Sequence, residues 1–149
     1  MKNKRLKEKG RVGSGAFIAL PLEVLNSPAM VGLSANARRL FVDMCGLYRY
    51  GHNGDISVAR SIMENRGWTS HASLQRAVEE LANAGIIEQT RQGGRNRASL
   101  YGFTWQAIDH CGGKLDTPEQ VAPSSLWRLP QEEKKGWPCH RATGALSKG

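Results

Sequence analysis

Five residues, Gly93-Gly94-Arg95-Asn96-Arg97, separate two runs of strand character at residues 86–91 and 99–104. Glycines and an asparagine between such runs suit a tight reversal, so the runs are expected to pair as one hairpin with a basic tip. What stands before the hairpin then decides the architecture.

Helical patterns precede it. Ser34 is an N-cap candidate, and Ala37, Leu40, Phe41, Met44, Cys45 and Tyr48 recur at spacings of three and four, with Arg38, Arg39 and Asp43 on other faces. After a turn cluster at residues 50–55, Ser57 is expected to cap a helix to about Asn65 that offers Val58, Ile62 and Met63 for burial. Arg66-Gly67-Trp68-Thr69 forms a tight connection in which Gly67 can take a positive φ. Ser70 begins the next helix, which turns Leu74, Ala77, Val78 and Leu81 inward and stops at Gly85. Upstream, residues 16–20 read as an edge strand or an extended segment on the core. Pro21 opens a short helix through Leu25, which Asn26-Ser27-Pro28 ends.

The order is helix, helix, helix, strand, basic tip, strand. It predicts an α+β, mainly α, fold: a single winged helix-turn-helix domain over residues 16–110. A flexible basic arm at residues 1–15 comes before it. Gly112-Gly113, four prolines from Pro118 to Pro138 and the loss of periodicity predict a loosely ordered tail over residues 111–149.

Charge points to an anionic partner. The chain of 149 residues carries a formal +8, and its arm sets Lys2, Lys4, Arg5, Lys7, Lys9 and Arg11 against the single acid Glu8. Such an arm can follow a phosphate backbone. In a winged helix the second helix of the motif enters the major groove with its first turns against base edges. The outward positions there are Thr69, Ser70, His71, Ser73, Gln75 and Arg76. Gln75 has the donor and acceptor that suit adenine, and Arg76 can fork onto guanine or grip a phosphate. Ser70 and Ser73 are short hydroxyls fit for phosphate oxygens near a helix N-terminus, and Ser70 can cap as well. On the hairpin, Arg91, Arg95 and Arg97, with Asn96 between them and no acid nearby in sequence, suit a minor groove. Double-stranded DNA is therefore the expected partner.

Other classes find little support. The odd number of cysteines (Cys45, Cys111, Cys139) argues against a disulfide framework, and Cys45 falls on a buried helix face. His110-Cys111 and Cys139-His140 are adjacent pairs, whereas zinc ligands usually sit two to four residues apart, so neither metal nor cofactor is expected. His52, His71, His110 and His140 are scattered and no nucleophile or carboxylate pair joins them, which gives no catalytic set. The basic start has no apolar run behind it, and no stretch approaches the length of a membrane span, so no membrane partner and a cytoplasmic location are expected.

The runs Arg66-Gly67-Trp68-Thr69-Ser70, Leu74-Gln75-Arg76-Ala77, Ala84-Gly85-Ile86-Ile87 and Thr90-Arg91-Gln92-Gly93-Gly94 resemble small winged-helix proteins of phages, prophages and integrative elements in proteobacteria. Leu100-Tyr101, Thr104-Trp105-Gln106-Ala107-Ile108-Asp109 and Gly113-Lys114-Leu115-Asp116 fit the same group, so the resemblance covers about residues 16–116. It implies a DNA-binding accessory of a mobile element, acting in replication initiation or in gene control. A competing reading is a protein-interaction module that blocks a host enzyme or defence complex, with Trp127 and Trp137 in the tail as its contacts. A homodimer would suit palindromic sites, although no long amphipathic helix outside the motif offers a seam.

Overall fold

Caps and apolar spacing set the helices. The computed structural model describes residues 15–130, and over these the chain forms a small α+β domain of five helices and a three-stranded antiparallel sheet. Nearly all of the basic arm, together with Trp137, Cys139 and His140, lies outside the described residues.

Helix α1 (Leu22–Leu25) follows Pro21 as expected. The next three residues do more than end it. Ser27 accepts a hydrogen bond from the Met30 N–H and Pro28 takes the first helical position, so a second short helix, α2 (Pro28–Val31), starts at once. Proline fits there because its missing N–H would have had no partner. Helix α3 (Ala35–Leu47) is capped by the Ser34 hydroxyl on the Ala37 N–H and buries Ala37, Leu40, Phe41 and Met44. Residues 16–20 form no strand. Ile18 and Leu20 lie half-buried on the core, and Phe17 points to solvent.

The expected helix from Ser57 is corrected. Ile56 and Ser57 form a strand, β1 (Ile56–Ser57), and helix α4 (Arg60–Glu64) begins only after Ala59. The Ser57 hydroxyl accepts from the Ala59 N–H, 3.2 Å away, and caps nothing further on. Helix α5 (His71–Asn83) is capped by Ser70 on the Ser73 N–H and buries Leu74, Ala77, Val78 and Leu81 against α3.

Helices α4 and α5 end in the same way. Gly67 (φ +87°) donates to the Glu64 carbonyl and Trp68 to that of Met63; Gly85 (φ +78°) donates to Ala82 and Ile86 to Leu81. Each is the paired closure that favours glycine in the left-handed region.

Strands β2 (Ile87–Arg91) and β3 (Leu100–Phe103) pair antiparallel, and β1 adds to the far side of β3 through Ile56–Tyr101 and Ser57–Leu100. The β2–β3 register shifts between Gln89 and Arg91, which makes Thr90 a bulge. Gly102 is required by close approach, since a Cβ there would lie 3.0 Å from Gly54 backbone atoms and 2.5 Å from Ile108 Cδ1.

The expectation of a loose tail from residue 111 does not hold over residues 111–130. The Asp116 and Thr117 N–H groups donate to the bulged Thr90 carbonyl, Gln120 exchanges two bonds with Ile108, and Ser124 donates to Glu88. Leu126 and Trp127 are buried, and the Leu126 backbone lies against Gly85. These residues form a strap along β2. Apolar burial of two large side chains outweighs the absence of helical or strand periodicity. No helix among the described residues is long and apolar enough to cross a membrane.

Candidate functional site

Trp68 fixes where α5 begins. Its ring is buried, its indole N–H donates to Asp43 Oδ2 at 2.8 Å, and the Arg39 guanidinium lies 4.4 Å from the ring centroid. Asp43 also faces Arg66 at 3.6 Å, and Arg39 donates to the Arg66 carbonyl at 3.3 Å. The connection between α4 and α5 is thus tied to α3 by an indole, a carboxylate and two guanidinium groups. Arg39 and Arg66 are exposed cations beside the α5 N-terminus. Sequence periodicity placed Arg39 only on an outer face of its helix and gave no sign of its stacking on Trp68.

From this anchored start, Thr69, Ser70 and His71 emerge exposed, while Ser73 and Gln75 are half-buried. Ser70 Oγ is engaged as the cap, 3.2 Å from the Ser73 N–H. Helical spacing puts His71 and Gln75 along one edge and Ser73, Arg76 and Glu80 along another. Arg76 therefore parts from Gln75. It lines a cleft of about 1130 Å³ that it shares with Glu79, Glu80, Leu33, Trp127 and Arg128. Glu80 is engaged there, accepting from the Ser34 N–H at 2.7 Å and the Ser34 hydroxyl at 2.6 Å.

The hairpin tip is a two-residue reversal. The Gly94 N–H donates to the Arg97 carbonyl at 2.9 Å and the Arg97 N–H returns to Gly94 at 3.1 Å, leaving Arg95 and Asn96 at the apex. The positive φ of +59° falls on Asn96 and on neither glycine. Asparagine accepts the left-handed region more readily than most residues. Gly93 is needed for a different reason, because a Cβ there would stand 2.5 Å from Ser99 Oγ and 2.7 Å from its nitrogen.

The three arginines of the hairpin are not equivalent. Arg91 folds back and donates from Nε and Nη2 to the Ala98 carbonyl at 3.1 and 2.8 Å, which closes the hairpin. Arg97 meets Asp116 at 2.7 Å. Arg95 stands exposed at the apex with Asn96. No acid is near the tip in sequence, but one is near it in space: Asp116 comes from the strap, nineteen residues beyond Arg97, where nothing local could announce it. Its second oxygen accepts from the Gln92 N–H at 2.7 Å. That bond, with Arg97 after it, holds the Asp116 carboxyl below its ordinary range.

Ser70 is engaged within its own helix start and Arg97 with the strap. The two groups are connected through the fold, since β2 leaves α5 directly at Gly85. Both present donors to solvent, and what they can do chemically is bind oxyanions: two arginines beside the α5 start, a histidine and hydroxyls at it, and Arg95 on the tip.

No group of three or more histidine, cysteine, aspartate or glutamate side chains is placed to hold a metal among the described residues. Cys111 is buried, its thiol pointing at the Asn53 carbonyl. Burial pushes the Cys45 thiol up to about 12 and raises that of Cys111 as well. Since the thiolate is the nucleophile, neither should react with a disulfide reagent at pH 8 in the folded protein. Peptide mapping before and after unfolding in urea checks this, with labelling of both confined to the unfolded chain.

Comparison with protein-family models, curated proteins and solved structures finds no significant match to this chain.

Proposed function

We propose that this domain is a winged helix-turn-helix module that binds double-stranded DNA, with α5 as the recognition helix and the β2–β3 hairpin as the wing. The observation that carries the reading is the anchored start of α5. Trp68, Asp43, Arg39 and Arg66 tie down the connection just before the exposed Thr69, Ser70 and His71, and the two guanidinium groups there remain partly open to solvent. A rigid helix start surrounded by cations suits a groove whose walls are phosphates. Thr69, Ser70 and His71, with Gln75 on the same side, would meet base edges and the nearest phosphates. Arg95 and Asn96 would enter the adjoining minor groove. Arg39 and Arg66 add phosphate contacts that the sequence did not suggest. Arg91 serves the hairpin itself, and Arg76 belongs to the cleft edge of α5. On the resemblance to proteins of mobile elements, the role would be gene control or replication initiation at such an element.

Fluorescence polarisation across a salt series, with a random duplex and with fragments of the native locus, tests this. Affinity should fall steeply with salt and favour a native fragment. Weak or salt-insensitive binding to every duplex overturns the reading. Arg95→Ala should weaken binding to all sequences alike and flatten the salt slope by about one unit. The melting temperature should hardly move, since an exposed wing arginine contributes little to the core.

A second reading, a protein-interaction module, is favoured by the cleft between α2, the outer face of α5 and residues 127–130, with Leu33, Ala84, Trp127 and Leu129 among its walls. Trp127 is largely buried in the domain and shows only an edge to this cleft. A truncation that separates the readings must therefore begin at residue 131, because residues 117–130 pack on the body. Lost biological activity with intact duplex binding would favour the second reading.

A further inference from the structure

Of the three wing arginines, Arg97 alone is matched to a carboxylate among the described residues, and the match is built by the backbone. The bulge at Thr90 removes that residue from the β2–β3 ladder and turns its carbonyl to the strap, where it accepts from Asp116 N–H at 2.8 Å and Thr117 N–H at 3.2 Å. The two bonds set the Asp116 side chain at the root of the wing. One carboxylate oxygen then takes Arg97 Nη2 at 2.7 Å, and the other takes the Gln92 N–H at 2.7 Å. Both partners of the ion pair are about half exposed, so the pair is open to competition from another anion.

We infer that Asp116 is a positioning residue that sets the charge the wing offers to DNA: it holds the root of the hairpin through Gln92 and, by neutralising Arg97, withholds that guanidinium from the phosphates. This deepens the DNA-binding reading and rests on it. A phosphate oxygen and the Asp116 carboxylate compete for the same guanidinium edge. While the pair holds, Arg97 adds no net positive charge toward a phosphate, which lowers affinity for any anionic backbone without altering the wing's shape. Arg95, at the apex, carries no such opposition among the described residues.

Asp116→Asn separates the two roles. The amide oxygen can still accept the Gln92 N–H, while the charge opposite Arg97 is gone. Duplex binding measured by fluorescence polarisation from low to moderate salt should tighten by about two- to fivefold. The slope of log affinity against log salt should steepen by about 0.9, the worth of one added phosphate contact. In the Arg97→Ala background the same change should add nothing to the slope. Glu119→Gln alters the net charge equally at an exposed position outside the wing and should leave the slope alone. A wing that merely needed Asp116 for shape would lose affinity in Asp116→Asn, with faster hydrogen exchange at the Gln92 amide. That result, or an unchanged slope in a protein whose wild type binds duplex, overturns the inference and leaves the DNA-binding reading standing. Absence of salt-sensitive duplex binding by the wild type removes both.

Discussion

Gly85→Ala is expected to destabilise the domain by about 3–5 kcal/mol, with two sources of roughly equal weight. The first is local. Gly85 has φ +78° at the end of α5, a conformation that a Cβ makes costly. The second is tertiary. The added Cβ would lie 2.6 Å from the Leu126 carbonyl oxygen and 2.8 Å from its carbon, so the strap must move. Moving it drags Leu126 and Trp127 out of the core and withdraws the Ser125 N–H from the Thr104 carbonyl. The melting temperature should fall by roughly 10–20 °C. Gly67→Ala is the control, because it shares the left-handed φ (+87°) and meets only the movable end of Arg39, 3.1 Å away. Equal losses in the two variants would show that the strap contributes nothing.

Asn53→Ala should be comparably severe, at about 3–5 kcal/mol, because it leaves several buried polar groups without partners at once. The Asn53 side chain is fully buried. Its amide donates to the Phe103, Gln106 and Ala107 carbonyls at 3.0, 3.1 and 3.2 Å, and its oxygen accepts from the Phe103 N–H at 2.8 Å. One side chain thereby joins the turn before β1 to the end of β3 and the residues after it. Asn53→Asp keeps the volume and the acceptor but sets a carboxylate against three carbonyl oxygens. It should be no better tolerated than alanine. Chemical denaturation of the three proteins decides the matter, and a loss below about 1 kcal/mol in both variants would place the stability of this junction elsewhere.

The elements governed by neighbours in sequence are legible from the sequence alone. Ser34 and Ser70 cap their helices, Gly67 and Gly85 close theirs, and the apolar positions of α3 and α5 face the core, because each depends on residues within a turn or two. What escaped depends on distant partners. A two-residue strand at Ile56–Ser57 exists only because Tyr101 and Leu100 pair with it, and a serine before a helical pattern looks like a cap until that pairing is known. Asn53 reads as a turn residue from its glycine neighbour, yet it is buried by groups fifty residues away. The strap has no periodicity to reveal it, since side-chain bonds to Glu88 and the bulged Thr90 carbonyl hold it in place of a regular ladder. For the candidate site, the exposure of Thr69, Ser70, His71 and Arg95 followed from local pattern. The engagement of Arg91, the acid facing Arg97 and the clustering of Arg39 and Arg66 around Trp68 did not.

The strap also bears on how this protein behaves in a crowded solution. Strand β2 lies at one margin of the sheet, and a bare margin of that kind can recruit strands from other molecules. Here the Thr90 carbonyl is already taken by two strap amides, and Glu88 is held by Gln120 and Ser124. The opposite margin, β1, is two residues long and too short to template an incoming strand. The strap thereby covers part of the β2 margin and the β1 margin is short, so strand addition is disfavoured in part by a segment that reads, in sequence, as a loosely ordered tail.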